Sequence, residues 1–320
     1  MTHSSRHDAP SAQPFKGRDL LTIRDYTPSE VAAILDKADE IKKNPAAYKK
    51  ALDGRTLAMI FEKPSLRTRV TFETGMTQLH GHAIYLSPSD AGLGKRESVP
   101  DVARNLERWV DGIMARVFAH RTVEDLAAHA KIPVINGLSD DFHPVQALSD
   151  MLTIREAAGR LEGVRLAFVG DGNNVTHSLL LAGARTGVSV AVATPAEYEP
   201  RADIVAEATE AGRATGCTVT ITHDIAEAVR GAHFIYTDVW ASMGQEAETE
   251  KRRKIFASYQ VNASVMKMAG TDPWFLHCLP AHRGDEVTDE VADSKRSLIF
   301  DQAENRLHLQ KAILVLLLGD

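Results

Sequence analysis

Cysteine is scarce: the 320 residues hold two, Cys217 and Cys278. Two thiols cannot brace so long a chain as a disulfide framework, and no Cys-x-x-Cys pair offers a structural zinc site. A reducing, cytoplasmic setting is the simplest reading. Positive charge is not in excess, since 37 Lys and Arg against 43 Asp and Glu leave a formal charge of -6. That balance excludes the basic footprint of a nucleic-acid binder, but not a local cationic pocket for a small anion. Long apolar runs are missing too; the longest, 312–318, falls far short of the roughly 20 residues that span a bilayer. Residues 1–17 lack the apolar stretch of a secretory signal and read as a disordered lead-in. There is no internal repeat. What remains, 44% hydrophobic and 25% charged, is the composition of a globular enzyme long enough for two domains.

Apolar runs of strand length alternate with helical patterns. The first half predicts strands over 56–61, 83–86, 112–117 and 133–135, and helices over 29–41, 68–79, 99–109 and 123–130. Phe72, Met76 and Leu79 fall on one helical face. The second half predicts strands over 165–169, 189–193, 218–222, 234–239, 274–276 and 297–300, and helices over 175–185, 201–215, 225–230, 246–257, 262–268, 289–293 and 305–318. Such alternation implies an α/β fold with parallel sheets covered on both faces. The expectation is two doubly wound parallel-sheet domains linked by helices. A helix from Pro144 to about Gly159 makes the crossover, with the division near 150: one domain over 18–150, a second over 151–301, and a C-terminal helix over 302–320 packing back on the first domain.

Five segments carry chemistry. In Phe61 to Arg69, Pro64 stops a strand and a helix begins near Arg67. A helix N-terminus with unpaired N–H groups suits an anion, and Ser65, Thr68, Arg67 and Arg69 add hydroxyls and charge. The plainer reading is a Ser65 cap followed by solvated arginines. His143 and Gln146 stand at i, i+3 around Pro144, able to face a carbonyl and an amide; equally, His143 caps a helix with Pro at its first position. Asp238, at a strand end before Ser242-Met243-Gly244, is placed to pair with an amine, while Ser242 could simply cap the next helix. In His277-Cys278-Leu279-Pro280, Cys278 invites a nucleophile reading that lacks an oriented base, and a buried thiol is more often inert. The turn Gly170-Asp171-Gly172-Asn173-Asn174 departs from the Gly-x-Gly-x-x-Gly spacing of a dinucleotide site, though an Asn there suits a small polar ligand. Arg306 brings one more cation in from the last helix.

In this order, over about residues 18–320, these segments resemble the carbamoyltransferase family. Ser242-Met243-Gly244 and His277-Cys278-Leu279-Pro280 are similar to its ornithine branch. The resemblance implies a first domain for carbamoyl phosphate, a second for L-ornithine, a reaction in the cleft between them, and a homotrimer or multiple of trimers, with no metal or cofactor. Residue by residue, it implies that Ser65, Leu66 (by its backbone), Arg67 and Thr68 hold the phosphate and Arg116 bridges phosphate and carbonyl oxygen. His143 then polarises the carbonyl and Gln146 contacts the amide, while Cys278, the Leu279 backbone and Arg306 complete the carbamoyl pocket. Asn174, Asp238, Ser242 and Met243 would take the amino acid. The catalytic set implied is Arg67, Arg116, His143 and Cys278. Two positions depart from the family pattern: Leu66 where Thr is usual, and Gly92 in the loop 89–97 where some members place a Gln or His reaching from a neighbouring subunit. Lys95-Arg96-Glu97-Ser98 resembles the lysine-bearing loop of the aspartate branch, but an acid at 238 suits an amine rather than a second carboxylate. A non-catalytic relative is disfavoured because Arg67, Arg116 and Arg306 are all present.

Overall fold

The computed structural model describes residues 15–94, 96–241 and 246–319. The expected lead-in over residues 1–14, together with Lys95, Ser242, Met243 and Gly244, therefore lies outside the described residues.

Among the described residues, nine strands form two parallel sheets. β1 (Thr56–Phe61), β2 (His82–Leu86), β3 (Gly112–Arg116) and β4 (Val134–Leu138) lie in the order β2-β1-β3-β4. β5 (Arg165–Val169), β6 (Ser189–Ala193), β7 (Val219–Thr222), β8 (Phe234–Thr237) and β9 (Trp274–His277) lie in the order β7-β6-β5-β8-β9. All pairings within the sheets are parallel. The central strands are apolar on both faces, as a sheet covered by helices on each side requires. In β1, Leu57, Met59 and Phe61 enter one core while Ala58 and Ile60 enter another. In β5, Leu166 and Phe168 join the same core as Leu57, whereas Ala167 and Val169 face a third. One apolar core is thus shared by both sheets, and helix Pro144–Ala158, buried along most of its length, runs through it.

Order reverses between β1 and β3, and again between β5 and β8. Carboxyl ends of strands at such reversals are where open α/β sheets bind ligands. The two reversals present the carboxyl ends of β1, β3, β5 and β8, at or soon after which stand the candidates Ser65, Arg116, Asn174 and Asp238.

The last predicted strand is a correction. Ser297 makes one isolated parallel bridge to Phe275, and at Leu298 the chain enters a 20-residue helix, Ile299–Leu318. The apolar run misleads because Ile299 is buried while Phe300 is 68% exposed, and Gln302, Asn305, Arg306 and Leu309 continue the buried stripe with helical spacing. This helix packs on Pro28–Lys43, Leu66–Gln78 and Pro144–Ala158, so it does return to the first sheet's helices. The predicted helix over 246–257 is divided into a 3-10 turn, Glu246–Glu248, and an α-helix, Thr249–Phe256.

Candidate active site

A cleft of about 1050 Å³ lies between the sheets, lined from both sides by candidate residues. On the first side, Ser65 caps helix Leu66–Gln78, its Oγ accepting from the Thr68 N–H at 3.3 Å. The cap and the anion-site readings are therefore compatible: the cap turns the chain so that the N–H groups of Leu66 and Arg67, which have no intrahelical partner, open the helix at the cleft. The Leu66 side chain is 74% exposed, so only its backbone is suited to a ligand. Arg69 points elsewhere, paired with Glu73 at 2.9 Å and stacked over Tyr85, and does not line the cleft.

Arg67, Arg116 and Arg306 converge there with His143. Arg116 ends β3 and is buried, with its Nε lacking a hydrogen-bond partner among the described residues. Arg306 is buried on the C-terminal helix, donating from Nη2 to Thr68 Oγ1 at 3.1 Å and from Nη1 to Gln146 Oε1. Burial and mutual repulsion depress the guanidinium pKa values, to about 9 for Arg116 and about 10 for Arg306, while burial lowers that of Arg67 in direction. Such groups remain protonated at neutral pH. A doubly charged anion among them turns that repulsion into attraction.

His143 stands at the cap position of helix Pro144–Ala158, yet its side chain makes no capping bond and, among the described residues, its Nδ1 has no partner. Burial, then the charges of Arg306, Arg116 and Arg67, hold its pKa well below the usual histidine range. The imidazole is neutral, an N–H donor that adds no fourth positive charge.

On the second side, Asp238 follows β8. Its carboxylate accepts from Cys278 Sγ at 3.0 Å, Asn173 Nδ2 at 3.0 Å and the Val239 N–H at 2.8 Å. Asn173 also caps helix Asn174–Thr186. Asn174 reaches the cleft, but its amide donates to the Ser139 carbonyl at 2.6 Å, so of the two asparagines it is Asn173 that supports the acid. Burial, and then the charge of Asp238, push the Cys278 thiol well above its ordinary pKa. A thiol so held is protonated and a poor nucleophile. The Leu279 N–H donates to His277 Nδ1 at 2.9 Å, leaving its carbonyl as the backbone group available to a ligand.

Asp238, His277 and Cys278 place potential ligand atoms within 4.8 Å of one another. Both ring nitrogens of His277 are committed, Nδ1 to Leu279 and Nε2 to Glu286 at 3.1 Å. Within the cluster Cys278 donates to Asp238, and His277 has no ring nitrogen left to offer an ion.

Residues 18–156 match the model of the carbamoyl-P binding domain of aspartate/ornithine carbamoyltransferase, and 162–317 match its Asp/Orn binding domain. The chain belongs to the aspartate/ornithine carbamoyltransferase family. It is 55% identical to an ornithine carbamoyltransferase of Pyrococcus horikoshii, over 95% of this chain and 96% of that one. Another relative, from Pyrococcus furiosus, is named as the anabolic enzyme and is 54% identical over 95% of this chain and 97% of its own. Among solved structures, the ornithine carbamoyltransferase from Pyrococcus furiosus superposes with a TM-score of 0.93 at 53% identity, covering 96% of this chain and 99% of that one. The enzyme from Thermus thermophilus gives 0.85 at 50%, covering 94% and 99%.

Within this carbamoyltransferase-family chain, three side-chain pairs at or behind the cleft escaped sequence reasoning. Lys63 is buried against Asp140 at 2.6 Å. Arg252 and Asp171 form a buried ion pair at 2.8 Å. Asp150 and Tyr236, 3.1 Å apart, lie behind Gln146 and Cys278 of the cleft wall. Of these, Asp150 alone had a local signal, its i, i+4 spacing from Gln146 on one helix. Gly92 adopts φ +51 and closes the short helix Pro88–Ala91, where an added Cβ would stand 2.9 Å from that of Arg96. A larger residue at that position requires a different loop path.

Proposed function

We propose that the chain transfers the carbamoyl group of carbamoyl phosphate to the δ-amine of L-ornithine, giving L-citrulline and phosphate. The observation that carries this reading is the division of charge across one cleft. Three guanidinium groups and a neutral imidazole meet on one side, and the Asp238 carboxylate, held by Cys278 and Asn173, faces the cleft from the other. The cations and the opening N–H groups of helix Leu66–Gln78 suit a phosphate dianion, and the acid suits an amine.

In the reaction, the neutral amine attacks the carbamoyl carbon. Negative charge grows on the carbonyl oxygen, where Arg116 and His143 donate, and then on the departing phosphate, held by Arg67, Ser65 and Thr68. Preorganised donors of this kind usually supply the largest catalytic contribution. Gln146 takes the carbamoyl amide, Arg306 braces Gln146, and the Leu279 carbonyl closes the pocket. Asp238 and the Cys278 thiol orient the amine, with Asn174, Ser242 and Met243 toward its amino-acid end. The amine's proton leaves with the phosphate, so no covalent enzyme intermediate and no cofactor is needed.

We assign residues 18–150 to carbamoyl phosphate and 151–301 to ornithine, with 302–320 completing the first site. Among the described residues no helix is long and apolar enough to cross a membrane. Both cysteines are free thiols, which suits a reducing, cytoplasmic setting. A homotrimer, or a multiple of trimers, is supported by the exposed Leu66 and Val70, one turn apart on the helix that opens the phosphate site. Steady-state citrulline formation from carbamoyl phosphate and ornithine tests the reading. Faster formation of carbamoyl-aspartate or carbamoyl-putrescine than of citrulline would refute it.

A further inference from the structure

A carboxyl oxygen that carries no proton accepts hydrogen bonds and donates none, whether or not its partner oxygen is protonated. A side-chain amide against it must therefore present its NH2, and its carbonyl oxygen is thrown to the opposite end. Asp150 imposes this on two glutamines at once. It is fully buried on helix Pro144–Ala158, and its Oδ1 accepts from Gln146 Nε2 at 2.8 Å and from Gln302 Nε2 at 2.7 Å. Its Oδ2 accepts from the Tyr236 hydroxyl at 3.1 Å.

The far ends of both amides meet donors that need the carbonyl they receive. Gln146 Oε1 accepts from Arg306 Nη1, in the cleft wall. Gln302 Oε1 accepts from the His277 N–H at 2.9 Å, the residue before Cys278. Two donor chains, one starting at a cation of the phosphate side and one at the backbone that carries the thiol, end on a single carboxylate oxygen. They join helix Pro144–Ala158, the C-terminal helix and the end of β9, and β8 adds Tyr236.

We propose that Asp150 is a positioning residue for carbamoyl transfer: it fixes the amide orientation of Gln146 and Gln302, so that the Gln146 carbonyl oxygen faces the carbamoyl NH2 and the Cys278 turn is held against the cleft. The proposal rests on the carbamoyltransferase reading above. What matters is an acceptor oxygen, rather than the negative charge or the filled volume. An asparagine can satisfy the site, because its Oδ1 accepts from both glutamines while its Nδ2 donates to a Tyr236 hydroxyl turned to receive it. That hydroxyl also neighbours the Cys278 thiol, which gives it a second partner.

Citrulline formation by the full-length enzyme, with kcat and KM for each substrate, separates the possibilities. Asp150→Leu keeps the branching of the side chain and removes every acceptor, and kcat/KM for carbamoyl phosphate is expected to fall roughly 30- to 100-fold, the usual cost of buried donors left unpaired. Asp150→Asn and Tyr236→Phe alone are each expected within about fivefold of the wild type. Combined, they leave the Nδ2 of the introduced amide without an acceptor, so that amide turns against the glutamine NH2 groups and the loss again reaches about 30-fold. That non-additive pair keeps the proposal testable if Asp150→Leu does not fold, as judged by its thermal transition. Wild-type rates in Asp150→Leu would overturn the inference. So would equal losses in Asp150→Asn and Asp150→Leu, which indicate a role for charge, or strictly additive losses in the double variant. If the wild type makes no citrulline, the functional reading itself fails before any variant is compared.

Discussion

Replacing Arg67 with alanine sets two effects of opposite sign against each other. Arg67 is only partly buried, its pKa is lowered chiefly by burial, and among the described residues no carboxylate forms an ion pair with it. Its charge is one cause of the depressed pKa of Arg116, at about 9. Losing it therefore relieves repulsion, and the unliganded variant should melt at or slightly above the wild-type temperature. Binding should suffer in the other direction. A hydrogen-bonded contact to a charged group is worth about 1.5–3 kcal/mol, and the upper end suits a guanidinium on a phosphate dianion. At about 1.4 kcal/mol per tenfold, Kd for carbamoyl phosphate should rise about 100-fold. At a ligand concentration of about 100 times the wild-type Kd, the wild type gains about 2.7 kcal/mol of stability. The variant, then at its own Kd, gains only about 0.4 kcal/mol by the same relation. Titration calorimetry with carbamoyl phosphate and thermal unfolding with and without it read both quantities. A normal affinity in a folded Arg67→Ala protein would refute the phosphate assignment. A melting temperature several degrees below wild type without ligand would show Arg67 to be mainly structural.

His143→Asn should lower kcat about 100- to 1000-fold, as expected for one lost oxyanion donor. Because the His143 pKa lies well below the usual range, its imidazole should not titrate between about pH 6 and 9, and a histidine NMR shift that moves through that window would contradict its neutral assignment. Cys278→Ser should reduce activity without abolishing it, and iodoacetamide should label the thiol slowly even at about pH 9, since burial and Asp238 hold its proton; complete inactivation with ligand binding retained would favour a covalent thiol mechanism. Asp238→Asn should raise KM for ornithine at least about tenfold, an ion-pair-sized loss, and leave carbamoyl-phosphate affinity within about twofold; an unaltered ornithine KM would remove Asp238 from the amine site. Asp150 has its folded pKa raised to about 7 by burial, against the ordinary 3.8. Between those values the folded state binds the extra proton, so stability should decline as pH rises through the window and level off above about 7. Chemical unfolding at about pH 5, 6 and 8 should show Asp150→Leu lacking this slope.

The strands were legible because parallel strands buried on both faces read as plain apolar runs, and β1, β5 and β6 match the sequence expectation residue for residue. The same rule failed at 297–300, where the apolar run 298–300 leads into a helix whose buried stripe is polar: Gln302, Asn305 and Arg306 break the apolar pattern that would have extended the helix backward. That buried polarity serves the site, and it hides the element that carries it. The site's first layer was visible in local motifs, since Ser65, Arg67, His143, Gln146, Asp238 and Cys278 each stand at or near an element boundary. The layer behind it was not, because Gln302 meets Asp150 across 152 positions and Arg252 meets Asp171 across 81, and no local spacing records such pairs.

A chain of formal charge -6 holds a cluster of three arginines by drawing each from a different part of the sequence. Arg67 and Arg116 come from the two strands flanking the first reversal, Arg67 just after β1 and Arg116 at the end of β3, but Arg306 arrives on a helix that begins only after the second sheet is complete. The cation side is therefore finished by helix Ile299–Leu318, whereas Asp238 and its supports belong to the second sheet alone. Arg306 and Gln302 are less than two turns apart on that helix, one braced on Thr68 and Gln146 and the other on Asp150 and His277. A shift of the C-terminal helix must consequently disturb the phosphate side and the thiol turn together. The packing of helix Ile299–Leu318 against Leu66–Gln78 and Pro144–Ala158 is what keeps the arginine cluster and the Cys278 turn in register.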